Sequence, residues 1–145
     1  MGIEFAPLEC PEKAYIEAMD WSYQHGYGLV DFRMACSDGH KWSEPAVGDY
    51  DHHGVWTNHG SWDMPMICGD KGFKTVIGRE ESVGLHGLVN IQAYCTDSDV
   101  ILASNDDFGG KDNPPLECPE GYKVVGVQVR EEIYHGLIDF RVRCG

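Results

Sequence analysis

The chain has 145 residues, with 24 Asp and Glu against 11 Lys and Arg and a formal net charge of −13. Such a charge repels phosphate backbones and anionic bilayers, so nucleic acid and acidic membranes are excluded as natural partners, while cationic proteins and divalent metals are favoured. No run approaches the 18 or so apolar residues of a membrane span, and the length suffices for one core but not comfortably for two.

In chain order, the opening residues Met1-Gly-Ile-Glu-Phe5 show no basic region followed by an apolar stretch. If the cysteines are oxidised, a secretory leader is expected to have been removed. Cys10-Pro-Glu-Lys-Ala14 then introduces a strand near Ile16–Met19 and a second one, Gly28-Leu-Val-Asp-Phe-Arg-Met-Ala-Cys36. The same order returns twice. Cys68-Gly-Asp-Lys-Gly72 precedes Val76-Ile77 and Gly87-Leu-Val-Asn-Ile-Gln-Ala-Tyr-Cys95; Cys118-Pro-Glu-Gly-Tyr122 precedes Val125, Val127 and Val129 and then Gly136-Leu-Ile-Asp-Phe-Arg-Val-Arg-Cys144. Self-similarity at a fixed period sets the architecture ahead of local propensity, so the chain reads as three repeats, about 1–44, 45–102 and 103–145, in one domain.

Within each repeat the residues alternate with period two. Ile138, Phe140, Val142 and Cys144 face one way and Asp139, Arg141 and Arg143 the other. The gaps Ser37–Ile67 and Thr96–Glu117 have room for one or two more strands each, and no stretch offers a helical period with caps. Three units that each bury one face against the other two predict an all-β fold, a β-prism of three sheets around a pseudo-threefold axis.

Six cysteines fall at two positions per repeat, and the steps from 10 to 36, 68 to 95 and 118 to 144 agree to within one residue. Pairing that respects the repeat joins Cys10 to Cys36, Cys68 to Cys95 and Cys118 to Cys144; cyclic pairing between neighbouring repeats respects it too. Each such loop contributes roughly 3 kcal/mol in the chain-entropy model. Disulfides at regular intervals imply an oxidising, extracellular setting.

Three groups of residues are candidates for function. Asp31 with Arg33, Asn90 with Gln92 and Asp139 with Arg141 share one strand face at repeat-related positions. Because the middle pair carries no charge, a hydrogen-bonding role fits better than catalysis. The insert Asp49-Tyr-Asp51-His52-His53-Gly-Val-Trp56-Thr-Asn58-His59-Gly-Ser-Trp62, with Trp42 just before it, has no counterpart in the other repeats. Indole faces stack on sugar C–H surfaces while Asp, Asn and His bond hydroxyls, so Trp42, Asp49, Asp51, His52, His53, Trp56, Asn58 and His59 are the candidate glycan ligands. The three histidines with an aspartate are an alternative transition-metal set, although their spacing matches no standard zinc pattern. Trp62 reads as structural, its place recurring as Phe108. Finally, Asp97, Asp99, Asp106, Asp107 and Asp112 are dense enough for calcium, without the order of an EF-hand. No catalytic motif is present, and no cofactor other than calcium is suggested.

The segments Cys118-Pro-Glu-Gly-Tyr-Lys-Val-Val-Gly-Val-Gln-Val-Arg-Glu-Glu132 and Gly-Leu-x-Asp/Asn-x-Arg/Gln-x-x-Cys, with Gly60-Ser-Trp62 and Asp107-Phe-Gly-Gly110 ahead of the next cysteine, resemble vitelline membrane outer layer protein I. Ser82–His86 and Glu132–His135 replace that family's longer acidic loop. A weaker similarity is to the invertebrate dermatopontins, through Trp56-Thr-Asn58 and the step from Cys68 to Cys95. The first resemblance implies a β-prism in an extracellular coat, with glycans or matrix components as partners. The expectation is a secreted, lectin-like, non-enzymatic protein; a glycan-processing enzyme and an acidic matrix or toxin-like protein acting through calcium or a cationic partner are the alternatives.

Overall fold

The computed structural model describes residues 3–24, 28–48, 61–62, 64–81, 87–132 and 136–145. Each repeat forms one long antiparallel hairpin: β3 (Ile16–Gln24) with β4 (Gly28–Cys36), β6 (Phe73–Glu80) with β7 (Leu88–Cys95), and β11 (Val124–Glu132) with β12 (Gly136–Cys144). Short strands complete the three sheets: β1 (Ile3–Glu4), β2 (Leu8–Glu9), β5 (Met66–Ile67), β8 (Ile101–Ala103), β9 (Lys111–Asp112) and β10 (Leu116–Glu117). Among the described residues the helical content is one short 3-10 turn, Gly69–Lys71, and no helix is long and apolar enough to cross a membrane.

The short strands are exchanged in a ring. The segment ahead of each opening cysteine pairs with the hairpin of the preceding repeat: β5 with β3, β9 and β10 with β6, and β1 and β2 with β11. Register is the same at all three seams, Met66 opposite Met19, Leu116 opposite Val76 and Leu8 opposite Val127. The N–H of Cys68, Cys118 and Cys10 then donates to the carbonyl of Glu17, Lys74 and Val125.

Cystines join Cys10 to Cys36, Cys68 to Cys95 and Cys118 to Cys144, the pairing within repeats. Since each opening cysteine rides on the neighbouring sheet, every bond staples two sheets, and the three together link all three sheets around the axis.

Both repeated register shifts fall at equivalent places, between Ile16/Ala18, Phe73/Thr75 and Val124/Gly126, and between Ser22/Tyr23, Arg79/Glu80 and Arg130/Glu131. The first of these bulges changes the expected face of the strand. Simple alternation groups Val125 with Val127 and Val129, whereas the fold buries Val124, Val127 and Val129 and leaves Val125 half-buried. One extra residue on the bulged strand flips everything before it to the other side.

The core is shared by all three sheets. Trp21 packs on Phe32 of its own sheet, with centroids 4.3 Å apart, and edge-on to Phe140 of the third, at 5.4 Å. Leu29, Leu88 and Leu137, the leucines of the repeated Gly-Leu motif, are completely buried. Their glycines are fixed by the crossing of neighbouring sheets: a Cβ on Gly28 would lie 2.5 Å from the carbonyl oxygen of Leu88, and one on Gly87 2.4 Å from that of Leu137.

Candidate functional site

The repeat-related polar pairs resolve first. Asp31 is fully buried at the edge of β4, where its Oδ1 accepts from the N–H of Phe32 and Val47 at 2.8 Å each and its Oδ2 from Gly48 at 3.1 Å. Asn90, equally buried, accepts at Oδ1 from the N–H and Oγ–H of Ser104, at 3.1 and 2.8 Å, and donates from Nδ2 to the carbonyls of Asn105 and Asp107. The described part of the loop over β4 presents N–H groups, which suits a carboxylate; the loop over β7 presents donors and acceptors together, which suits an amide. These residues hold the outer loops in place.

The outer face of the first sheet is different in kind. Asp20 on β3 and Arg33 on β4 stand directly opposite each other, and Arg33 Nη2 donates to Asp20 Oδ2 at 3.1 Å, with Asp20 only 1% exposed. Two indoles close on the guanidinium, its central carbon lying 4.9 Å from the ring centroid of Trp42 and 4.6 Å from that of Trp62. Both distances are within cation–π range. Trp42 is placed by a β-bridge to Ala35 and by Ser43, whose N–H donates to Met34 O while its Oγ accepts from Met34 N. Trp62 is placed by the bridge between its neighbour Ser61 and Tyr23.

The aromatic bracket belongs to one repeat alone. Backbone register puts Trp62 in the position of Asp112 and Glu4, not of Phe108, because Ser61, Lys111 and Ile3 are the residues opposite Tyr23, Glu80 and Glu131. Phe108 instead lies in a loop, half-exposed, with its carbonyl held by Arg79 Nε at 3.0 Å. In the third sheet the position of Arg33 is taken by Arg141, which pairs with Glu4 at 3.1 Å and with Gln128 Oε1 at 2.7 Å. In the second sheet it is taken by Gln92, opposite Ile77. The fold therefore repeats the frame three times and furnishes it with tryptophans once.

Of the sequence candidates, Trp42 lies in this bracket, 39% exposed. Asp49, Asp51, His52, His53, Trp56, Asn58 and His59 lie outside the described residues, in the sequence between Gly48 and Ser61. Arg33 and Trp62 complete the bracket: the sequence had offered Arg33 as a candidate paired with Asp31, not with tryptophans, and had read Trp62 as structural. The signal that could have joined them was a tryptophan on either side of the insert. Chemically the face offers indole surface and a guanidinium fixed by a buried carboxylate; Asp20 and Asp31 are too deeply buried to reach a bound molecule.

Two of the aspartates ahead of Cys118 serve structural contacts. Asp107 accepts from Tyr23 Oη at 3.1 Å and from Gly109 N at 2.9 Å, and Asp112 pairs with Arg79 at 2.6 Å. Among the described residues, no three His, Cys, Asp or Glu side chains come together to hold a metal. A cavity of about 740 Å³ lies elsewhere, between Cys10–Tyr15 and Gly121–Val125. Of its polar groups, Lys123 lies 4.0 Å from the Tyr15 ring and bonds Asp70 O, and Arg143 pairs with Glu9.

Three hairpin sheets, exchanged strands and one cystine per repeat define an all-β prism with internal pseudo-threefold symmetry. No protein-family model and no curated protein matches the chain. Among solved structures, the fold is similar to the crystal structure of a prostate-specific WGA16 glycoprotein lectin, form II, with a TM-score of 0.69 and 14% identity over 99% of this chain and 91% of that one. At that identity the likeness is one of fold.

Proposed function

We propose that the protein is a secreted, lectin-like component of an extracellular layer, and that it binds glycans on the outer face of the first sheet. The observation that carries this reading is the Trp42–Arg33–Trp62 bracket, present in one of three otherwise equivalent frames. A structural role alone would suit every copy. A flat, half-exposed indole beside a fixed cation supplies what a sugar ring needs: a surface for its C–H groups and donors for its hydroxyls. Asp49, Asp51, His52, His53, Trp56, Asn58 and His59 would extend the site from the adjoining insert.

The reading is supported by the lectin named as structural neighbour and by the resemblance to vitelline membrane outer layer protein I, which would make the chain a member of that family. Three cystines suit an extracellular location. Screening a glycan array that includes chitin-type oligosaccharides, with calcium and again with EDTA, tests it. Specific binding lost on Trp42→Ala or Trp62→Ala supports the bracket, and loss on Trp56→Ala or His53→Ala extends the site into the insert. Turnover of a bound oligosaccharide would favour a glycan-processing enzyme. A blank array with EDTA-sensitive assembly would favour a matrix protein that works through calcium or a cationic partner.

A further inference from the structure

Two of the five arginines, Arg33 and Arg79, are largely shut away from solvent, and they are served very differently. Arg79, its side chain 19% exposed, uses all three guanidinium nitrogens: Nε donates to the carbonyls of Phe108 and Gly109, Nη1 to the carboxylate of Asp112 and Nη2 to the carbonyl of Gly110. Arg33, 28% exposed, makes one such bond, from Nη2 to Asp20. Its Nε is buried without an acceptor among the described residues, and its Nη1, which is not closed off from solvent, has none there either. Arg130, Arg141 and Arg143 are far more open, so water serves their free N–H groups.

What the bracket lacks is an acceptor. A guanidinium carries five N–H donors and an indole one, and neither accepts a hydrogen bond. The carboxylate of Asp20 is buried, and the hydroxyl of Ser43 beside Trp42 is engaged with Met34 N and Glu44 O. A sugar hydroxyl placed on Arg33 Nη1 would find a donor there but no acceptor within the bracket for its own O–H. A carboxylate has nothing to donate, and its charge-assisted bonds to a planar guanidinium are the stronger kind.

We propose that the bracket selects sugars that carry a carboxylate, the hexuronic and sialic acids, with the acid on Arg33 Nη1 and ring C–H groups on the exposed face of Trp42; this rests on the reading of the face as a glycan site. The ligand is a sugar with an isolated acid group rather than a dense polyanion. A net charge of −13 opposes a long sulfated chain along its whole length, whereas the repulsion felt by one carboxylate is screened beyond about 8 Å at physiological salt.

Matched probes differ at one carbon: methyl β-glucoside against methyl β-glucuronide, and methyl β-galactoside against methyl β-galacturonide, with the methyl glycoside of N-acetylneuraminic acid alongside. Titrated into the intact protein and followed by two-dimensional NMR, each uronide should bind roughly tenfold more tightly than its neutral partner, the difference between a charge-assisted and a neutral hydrogen bond. Tighter binding of the neuraminide than of either uronide would identify sialic acid as the source of the carboxylate. Arg33→Lys, which keeps a cation for Asp20 but not the planar fork, should erase most of the preference, and Arg143→Lys on the third sheet should leave it intact, with remote amides reporting an intact fold in both. Equal binding of acid and neutral sugars, or a preference unchanged by Arg33→Lys, overturns the proposal while leaving the glycan site standing. Glucose 6-sulfate binding as tightly as the glucuronide overturns the restriction to carboxylates. Binding to no sugar, in these pairs or on the array, overturns both the proposal and the glycan reading on which it rests.

Discussion

The guanidinium of Arg33 lies 4.6 Å from the ring of Trp62, although the two residues belong to segments that meet only because the chain crosses back over β3 on its way to the second repeat. Removing either partner has different consequences. Arg33→Ala removes a charged partner of buried Asp20 and should cost about 2–4 kcal/mol in a urea melt. Trp62→Ala leaves the Arg33–Asp20 pair in place and should cost less than half as much, while removing glycan binding. Equal destabilisation by the two substitutions would mean that the bracket is packing alone.

Asp31 and Asn90 look interchangeable by shape but face loops of different polarity. Asp31→Asn turns an amide N–H toward either Val47 or Gly48, both donors, and Asn90→Asp turns a carboxylate toward the carbonyls of Asn105 and Asp107. Each should cost about 1–3 kcal/mol. Neutral behaviour of either in chemical denaturation would show that the loop relaxes around it.

Gly87 needs no unusual backbone angle, so its constraint is one of space. Gly87→Ala would drive a methyl group into the Leu137 carbonyl, and a loss of about 2–4 kcal/mol is expected. Gly39, which has open space around it, is the matched control: Gly39→Ala should be within about 0.5 kcal/mol of the parent.

Tyr23 reports on the seam between the first two sheets. Burial, and then its hydrogen bond to Asp107 and the charges of Asp107 and Glu81, hold its pKa above the ordinary 10.0. The fold thus keeps the phenol proton to higher pH than the unfolded chain does. Its contribution is complete below pH 10.0 and is lost as pH rises through the folded value. Subtracting the stability curve of Tyr23→Phe from that of the parent should leave a difference that is flat at neutral pH and declines on the alkaline side; a flat difference throughout would remove Asp107 as a partner of consequence.

The hairpins and cystines were legible because each copy of the repeat restates the same pattern: Gly-Leu, alternating apolar residues, then Cys. The strand exchange was not. Strands of two residues such as Leu8–Glu9 and Met66–Ile67 carry no period of their own, and their partners are chosen by where the ring closes. The sequence also offered Trp62 a false counterpart in Phe108 through a shared aromatic-and-glycine pattern, although the true counterparts Trp62, Asp112 and Glu4 each stand six residues before the next cysteine. The bulge at Val124/Gly126 likewise leaves no trace in the valine run it shifts. Trp42 and Arg33 were each marked as candidates but in separate groups, because composition marks aromatic residues but not which cation they enclose.

The cystines link all three sheets in space, yet along the chain they close three separate loops, and residues 37–67 and 96–117 fall between those loops. A protease that cuts between Ser82 and His86 leaves its two products covalently joined through Cys68–Cys95. A cut between Asp49 and Gly60 leaves none. The two pieces would then be held only by non-covalent contacts, the shared core and the traded strands, β1 and β2 given in one direction and β5 in the other, so that they migrate together in native gels and part in denaturant without any reductant. A clipped molecule of this kind would be an intact particle under mild conditions and a dissociable pair under harsh ones.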